Sequence, residues 1–388
     1  MRLSAAACLG LAALLCAGVA AAQDFAAWRY VRQIQFNTSG TGADVYYDVH
    51  DYPVAVALEG GDFDFTQAKE DGSDLRFSLH RDGGLLPYAI DHWDPAGRRG
   101  LVWVKVPTVI GRSTSQSIYL QWGNPAAVDA GDSHEVFATR DGFVGVWHLD
   151  EDAGSDTGGY RDATASAAHG TGVNLAAAPA PVGRLGRALS LRHADAQWVR
   201  IDPDARTHFD LTTRLTFSIW ARATSYANRG NEATGSLPGY ETLIAKGDNS
   251  WRLQKFGIRD WHTPPADLIE ICVEQPPRAD LCAVGRADVA PGEWFHLAGV
   301  HDFPLVKLYV NGALDAVEIF DVNWKSGDHP VGIGNQTQFP DAGRSWDGLL
   351  DEARVMRVPK DDYWLKLEYE SQREGQRFLA FGATERRF

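Results

Sequence analysis

The sequence predicts an all-β protein built as two tandem antiparallel β-sandwiches with a short C-terminal helix. Three observations carry that expectation. Between Gly292 and Val317, three short aliphatic and aromatic runs are separated by His301-Asp302-Phe303-Pro304 and by Asn311-Gly312. Between Trp28 and Trp122, short alternating runs are punctuated by polar turns such as Asp71-Gly72, Asp82-Gly83-Gly84 and Asp94-Pro95. In that second stretch no ten-residue window has a helical period beyond a single turn at Phe65–Lys69.

Length and composition set the frame. The chain has 388 residues, 44% of them hydrophobic, with 13 Trp, enough for two domains with real cores. The formal charge of −14 excludes a nucleic-acid partner, because phosphates demand a basic face. Residues 1–22 read as an export signal: Arg2 gives the positive n-region, Ala5 to Val19 is apolar, and Ala20-Ala21-Ala22 supplies small residues for cleavage before Gln23. The apolar run is too short for a membrane span, and no other run approaches the length of one. Cys16 follows Leu15, so a lipoprotein signal is disfavoured. The mature chain is expected to be soluble, in the periplasm or outside a bacterial cell. Export removes Cys8 and Cys16 and leaves Cys272 and Cys282, which in an oxidising compartment read as one disulfide.

In chain order, the first module is expected over 25–125. Its strands fall at Arg29–Phe36, Pro53–Leu58, Leu75–Leu79, Leu101–Val106 and Ser117–Gln121. Gly123-Asn124-Pro125 ends the run, and Ala126–Thr139 reads as a connector. Trp28-Arg29-Tyr30, Phe63-Asp64-Phe65, Asp71-Gly72-Ser73-Asp74-Leu75-Arg76-Phe77, Val102-Trp103-Val104-Lys105-Val106-Pro107 and Ile118-Tyr119-Leu120-Gln121-Trp122-Gly123-Asn124 together resemble the bacterial domain-of-unknown-function family 2341. The resemblance implies no chemistry. It does imply a laminin-G-like domain downstream, which often follows in that family. Some members precede a TolQ-type proton channel, which makes an accessory or scaffold role in envelope transport an alternative.

The second module is expected over 143–386. Val144 to Leu149 is its first strand, and 150–172 and Ala176–Gly186 are loops of small residues. Strands follow at about 187–191, 197–201, 214–223, 241–246, 251–258, 268–274 and 281–286, then a meander at 294–301, 305–310 and 313–319, then 330–335 and 347–357. On the middle meander strand, Val306, Leu308 and Val310 face the core, with Lys307 and Tyr309 opposite. Asn311-Gly312 suits a type I′ hairpin turn. Asp361 caps a helix over Asp362–Glu374 that packs Trp364, Leu365, Leu367 and Tyr369 on the sandwich. The Trp-strand-turn-Leu-Tyr-Val-Asn-Gly-strand pattern resembles laminin-G-like, concanavalin A-like lectin/glucanase jelly rolls.

Three kinds of site chemistry bear on function. The glucanases of this fold carry Glu-x-Asp-x-x-Glu on one strand, and the pattern is absent. The nearest carboxylates, Glu270 and Glu274, share a strand face roughly 13 Å apart, wide for a catalytic pair. Polar residues on a solvated sheet face explain them better than catalysis does, with ligand contact as the other reading. Trp251, Arg252, Gln254, Trp261, Glu270 and Glu274 form the candidate ligand-binding set, because sugars take aromatic faces and planar polar groups. Trp251 has core packing as its structural reading, since alternation keeps it off the face of Arg252. His296 and His301 read as structural. Asp351, in the Trp346–Val355 strand, resembles a position that contributes to a structural calcium site in such jelly rolls, with Asp162 or Gly170 as partners. The sequence therefore points to an exported, non-catalytic binding protein for a glycan or envelope component, acting through the concave face of the jelly roll. A polysaccharide-degrading enzyme remains the other alternative.

Overall fold

The computed structural model describes residues 24–154, 156–201, 209–226, 240–247, 250–256, 267–273, 281–320, 326–338, 340 and 342–388. The expected signal segment, Trp261 and Glu274 lie outside the described residues. The first half holds β1 (Tyr30–Phe36), β2 (Val49–Glu59), β3 (Arg76–His80), β4 (Gly83–Leu86), β5 (Tyr88–Asp94), β6 (Arg99–Val109) and β7 (Ser117–Trp122), followed by a one-turn helix α1 (Ser133–Val136). The second half holds β8 (Phe143–Trp147), β9 (Gly170–Val173), β10 (Leu189–Leu191), β11 (Trp198–Ile201), β12 (Arg214–Ala223), β13 (Glu241–Ala245), β14 (Trp251–Phe256), β15 (Leu268–Val273) and β16 (Leu281–Val284). It continues with β17 (Phe295–Asp302), β18 (Leu305–Val310), β19 (Ala313–Ile319), β20 (Gly332–Ile333), β21 (Gly348–Met356), helix α2 (Asp362–Gln372) and β22 (Leu379–Arg386). Among the described residues, no helix is long and apolar enough to cross a membrane.

The second half is a sandwich of two antiparallel sheets. One runs β10-β21-β12-β17-β18-β19, with β8 also pairing β21. The other runs β16-β15-β14-β13-β20-β11-β9. Alternation fills the space between them with Phe217, Ile219, Leu253, Ile271, Leu297 and Leu308. The meander follows its sequence pattern closely. Asn311 and Gly312 both take positive φ (51° and 72°), as a two-residue hairpin turn requires. Val306, Leu308 and Val310 face this core. Tyr309 faces the opposite way and donates to Asp362, while Lys307 Nζ lies 3.7 Å from the same carboxylate.

Helix α2 covers that opposite face. Asp361 Oδ1 accepts the amides of Tyr363 (3.0 Å) and Trp364 (2.8 Å), and Trp364, Leu365 and Leu367 are buried. The helix stops at Gln372, two residues short of the expected Glu374. Tyr369 stacks on Trp220 with ring centroids 5.8 Å apart.

Two features depart from a simple tandem arrangement. The C-terminal strand β22 pairs with β1 and not with the second sandwich, giving the order β22-β1-β7-β3-β4. Beyond Leu379 and Phe381, which pack on the core, its side chains are exposed, so backbone pairing along the edge of β1 carries most of its length. A strand stabilised that way has no alternating apolar signal to read. The second feature is a shared core. Tyr52, Val54 and Trp103 of the first half pack in one cluster with Ala298, Tyr309 and Met356 of the second and with Trp364 of α2. The fourth sheet, β2-β6-β5, therefore lies against the back of the jelly roll. Smaller differences are local. The expected strand at 330–335 shortens to Gly332–Ile333, and β4 and β5 arise on either side of Pro87.

Candidate functional site

The candidate set divides at β14. Trp251 is fully buried in the jelly-roll core, stacked on Phe217 at 5.3 Å, and its Nε1 donates to the Phe209 carbonyl (3.1 Å). It does not join the others, because adjacent strand residues face opposite ways. Arg252, Gln254 and Glu270 lie on the face turned away from that core. Gln254 pairs in register with Glu270, and Arg252 with Cys272. Gln254 Nε2 donates to Glu270 Oε1 at 2.6 Å, and Gln254 Oε1 is buried without a donor. The Cys272–Cys282 disulfide sits on the same face, across directly opposed positions with Cα atoms 4.1 Å apart. Trp261 and Glu274 lie outside the described residues.

Asp351, the expected calcium candidate, is buried on β21. Its Oδ2 accepts the amides of Arg184 (2.7 Å) and Leu185 (2.8 Å). One carboxylate oxygen is thus committed to the loop, while Oδ1 is buried without a hydrogen-bond partner. Burial beside Glu352 and Asp91 pushes this carboxyl well above the usual carboxylate range. Gly183 is required here by close approach: a Cβ would stand 2.6 Å from the same oxygen. The expected partner Asp162 accepts the amides of Val146, Thr164 and Ala168, and the Gly170 carbonyl accepts the amide of Tyr160.

Sequence reading missed a chain of buried ionisable groups along the junction of the two halves. Asp91 on β5 lies 3.8 Å from His148 Nδ1, which is 2.9 Å from Glu352 Oε1. Arg354 lies 2.8 Å from Glu352 and 3.0 Å from Glu368 of α2, and His296 Nε2 is 3.1 Å from Glu368. Burial alone would lower the His148 imidazolium. Asp91 and the hydrogen-bonded Glu352 more than reverse this and raise it to about 10. Burial raises Asp91 to about 7. Glu352 resists burial because His148 and Arg354 hold it below the usual range. Asp91, His148 and Glu352 offer metal-ligand atoms within 4.8 Å of one another. The adjacent imidazolium and guanidinium already neutralise them, so the donor set fits ion pairing. The signal missed in sequence was the even spacing of Glu352 and Arg354, which puts two charges on one face of a buried strand.

Beside this chain opens a cleft of about 1030 Å³ between the halves. β2 and β6 form one wall, the loop 180–187 a second, and the segment after α2 a third. Arg99, Arg184, Arg187 and Arg373 line it together with Glu59, Asp62, Asp94 and Glu374. Arg99 stands in register with both Glu59 and Asp94. Arg184 Nε donates to the Gln372 carbonyl at 2.8 Å, so the loop held by Asp351 is also tied to the end of α2.

Residues 194–361 match the family model described as the concanavalin A-like lectin/glucanases superfamily. Residues 71–151 match the domain of unknown function DUF2341. The first match runs past Pro125 and takes in β8, a strand of the jelly-roll sheet. Among solved structures, the chain is similar to the binding domain of Paraclostridial Mosquitocidal Protein 1 (12% identity, 60% of this chain and 52% of that chain, TM-score 0.42). It therefore spans about half the length of that chain (52%). It is also similar to domain 4 of a GH43 extracellular arabinanase from Geobacillus stearothermophilus, solved with arabinotriose (16% identity, 60% and 98% coverage, TM-score 0.41). A third is a pentraxin from Limulus polyphemus (11% identity, 45% and 82% coverage, TM-score 0.32). No curated protein matches.

Proposed function

We propose that this protein is an exported, non-catalytic binding protein that recognises a glycan or another cell-envelope component through the jelly-roll face bearing Arg252, Gln254 and Glu270. The observation that carries this reading is the side-chain row itself. Two strands place a guanidinium, an amide and a carboxylate together on the face away from the core, and the amide keeps a buried oxygen without a donor. Buried polar atoms are rarely left unmade without a reason, and a ligand hydroxyl is a donor of the right kind. Glu270 already accepts the Gln254 amide, which suits a positioning group better than a catalytic acid. The domain match supports a carbohydrate ligand, and the disulfide supports an oxidising compartment.

The test is a binding screen of the chain from Gln23 against a broad set of polysaccharides. Defined binding that weakens about tenfold in Gln254→Ala or Arg252→Ala, with the melting curve preserved, supports the reading. A folded protein that binds none of them sinks it. Hydrolysis of any member that is lost in Glu270→Gln would replace it with an enzymatic reading.

A further inference from the structure

We propose that the cleft at the junction of the two halves is a second binding site, for an uncharged, hydroxyl-rich chain such as an oligosaccharide. It rests on residues separate from Arg252, Gln254 and Glu270. At about 1030 Å³ it stands at the upper end of the size range of ligand sites, and such sites favour domain boundaries. Its four guanidiniums are matched by four carboxylates, so neither a polyanion nor a polycation meets a net field. What the lining offers instead is planar donors and acceptors side by side, which suits neighbouring hydroxyls. Half-buried Phe381 adds an aromatic ring for the C–H face of a sugar.

Gln372 supplies the independent observation. It lines the cleft, is 2% exposed, and its Oε1 accepts Trp220 Nε1 at 2.7 Å. Its Nε2 is buried without an acceptor. The wall around it is fixed before any ligand arrives. Asp351 holds the backbone of Arg184 and Leu185, and Arg184 holds the carbonyl of Gln372. A site ordered in advance loses less conformational freedom on binding.

Hydrogen exchange on the chain from Gln23 localises the ligand, using cellohexaose, xylohexaose and mannohexaose at millimolar concentration and a mixed nonapeptide library as comparison. The expected result is slowed exchange in 182–187 and 371–376 with at least one sugar. Arg99→Ala and Glu374→Ala, both at exposed positions, should weaken that binding about tenfold. Slowing confined to 251–256 and 268–273 overturns the cleft site and leaves the sheet-face reading standing. Slowing in the cleft alone does the reverse. Cleft protection by peptides and not by sugars overturns the ligand class, and no protection by any sugar overturns the proposal.

Discussion

The junction between the two halves has a dry part and a wet part, built from the same residue types. In the dry part, Arg354 sits between Glu352 and Glu368 at 2.8 and 3.0 Å, with all three side chains 1% exposed. In the wet part, Arg184 stands 3.8 Å from Glu374, which is 95% exposed. The first arrangement locks β21 to α2, because a buried charge without its partner is expensive. The second spends little on stability, since exposed ion pairs contribute at most about 1 kcal/mol. Solvent access, not residue identity, decides whether Arg and Glu act as fasteners or remain available to a ligand.

Removing the fastener should have the largest effect. Arg354→Ala removes the guanidinium that buried Glu352 and Glu368 share, leaving each only its histidine neighbour, and a loss of about 3–5 kcal/mol is expected in urea unfolding. A loss below 1 kcal/mol would show that the chain is not what joins the halves. Reducing Cys272–Cys282, or replacing both by Ser, should remove about 2–3 kcal/mol, since the bridge closes a short loop. Because the bridge lies in the far sheet, its loss should be additive with that of Arg354→Ala.

The dry part also predicts a pH dependence. His148 is raised to about 10 and Asp91 to about 7, so the folded state holds both protons more tightly than the unfolded chain. The contribution of His148 is fully present below its unfolded value of about 6.5 and is lost as pH rises toward 10. That of Asp91 is lost earlier, between 3.8 and 7. Melting temperature should therefore fall from neutral to alkaline pH, and His148→Gln should flatten that fall. A rise over the same range would contradict the pairing.

Two smaller effects close the series. Asp361→Ala removes the carboxylate that accepts two amides at the start of α2 and should lower stability by about 1 kcal/mol. Glu374→Ala, in the wet part, should leave stability within about 0.5 kcal/mol of the parent. If Glu374→Ala destabilises as much as the cap variant, the distinction between the two parts of the junction fails.

Taken alone, the sequence determined the local grammar. Apolar runs between turn signals located β12, β17, β18 and β19 nearly to the residue. Asn311-Gly312 set the hairpin, Asp361 set the start of α2, and two remaining cysteines sufficed to pair Cys272 with Cys282. The opposite orientations of Trp251 and Arg252 were legible from strand alternation, as was the grouping of Arg252, Gln254 and Glu270. Tertiary structure alone decided the rest. β22 joins β1 through backbone hydrogen bonds, which leave no side-chain pattern. Asp351 meets the amides of a loop more than 160 residues away in sequence, and Asp91 meets His148 and Glu352 from another sheet. Such contacts depend on how the halves pack, and packing between distant segments is set by shape and charge together, which no local spacing records.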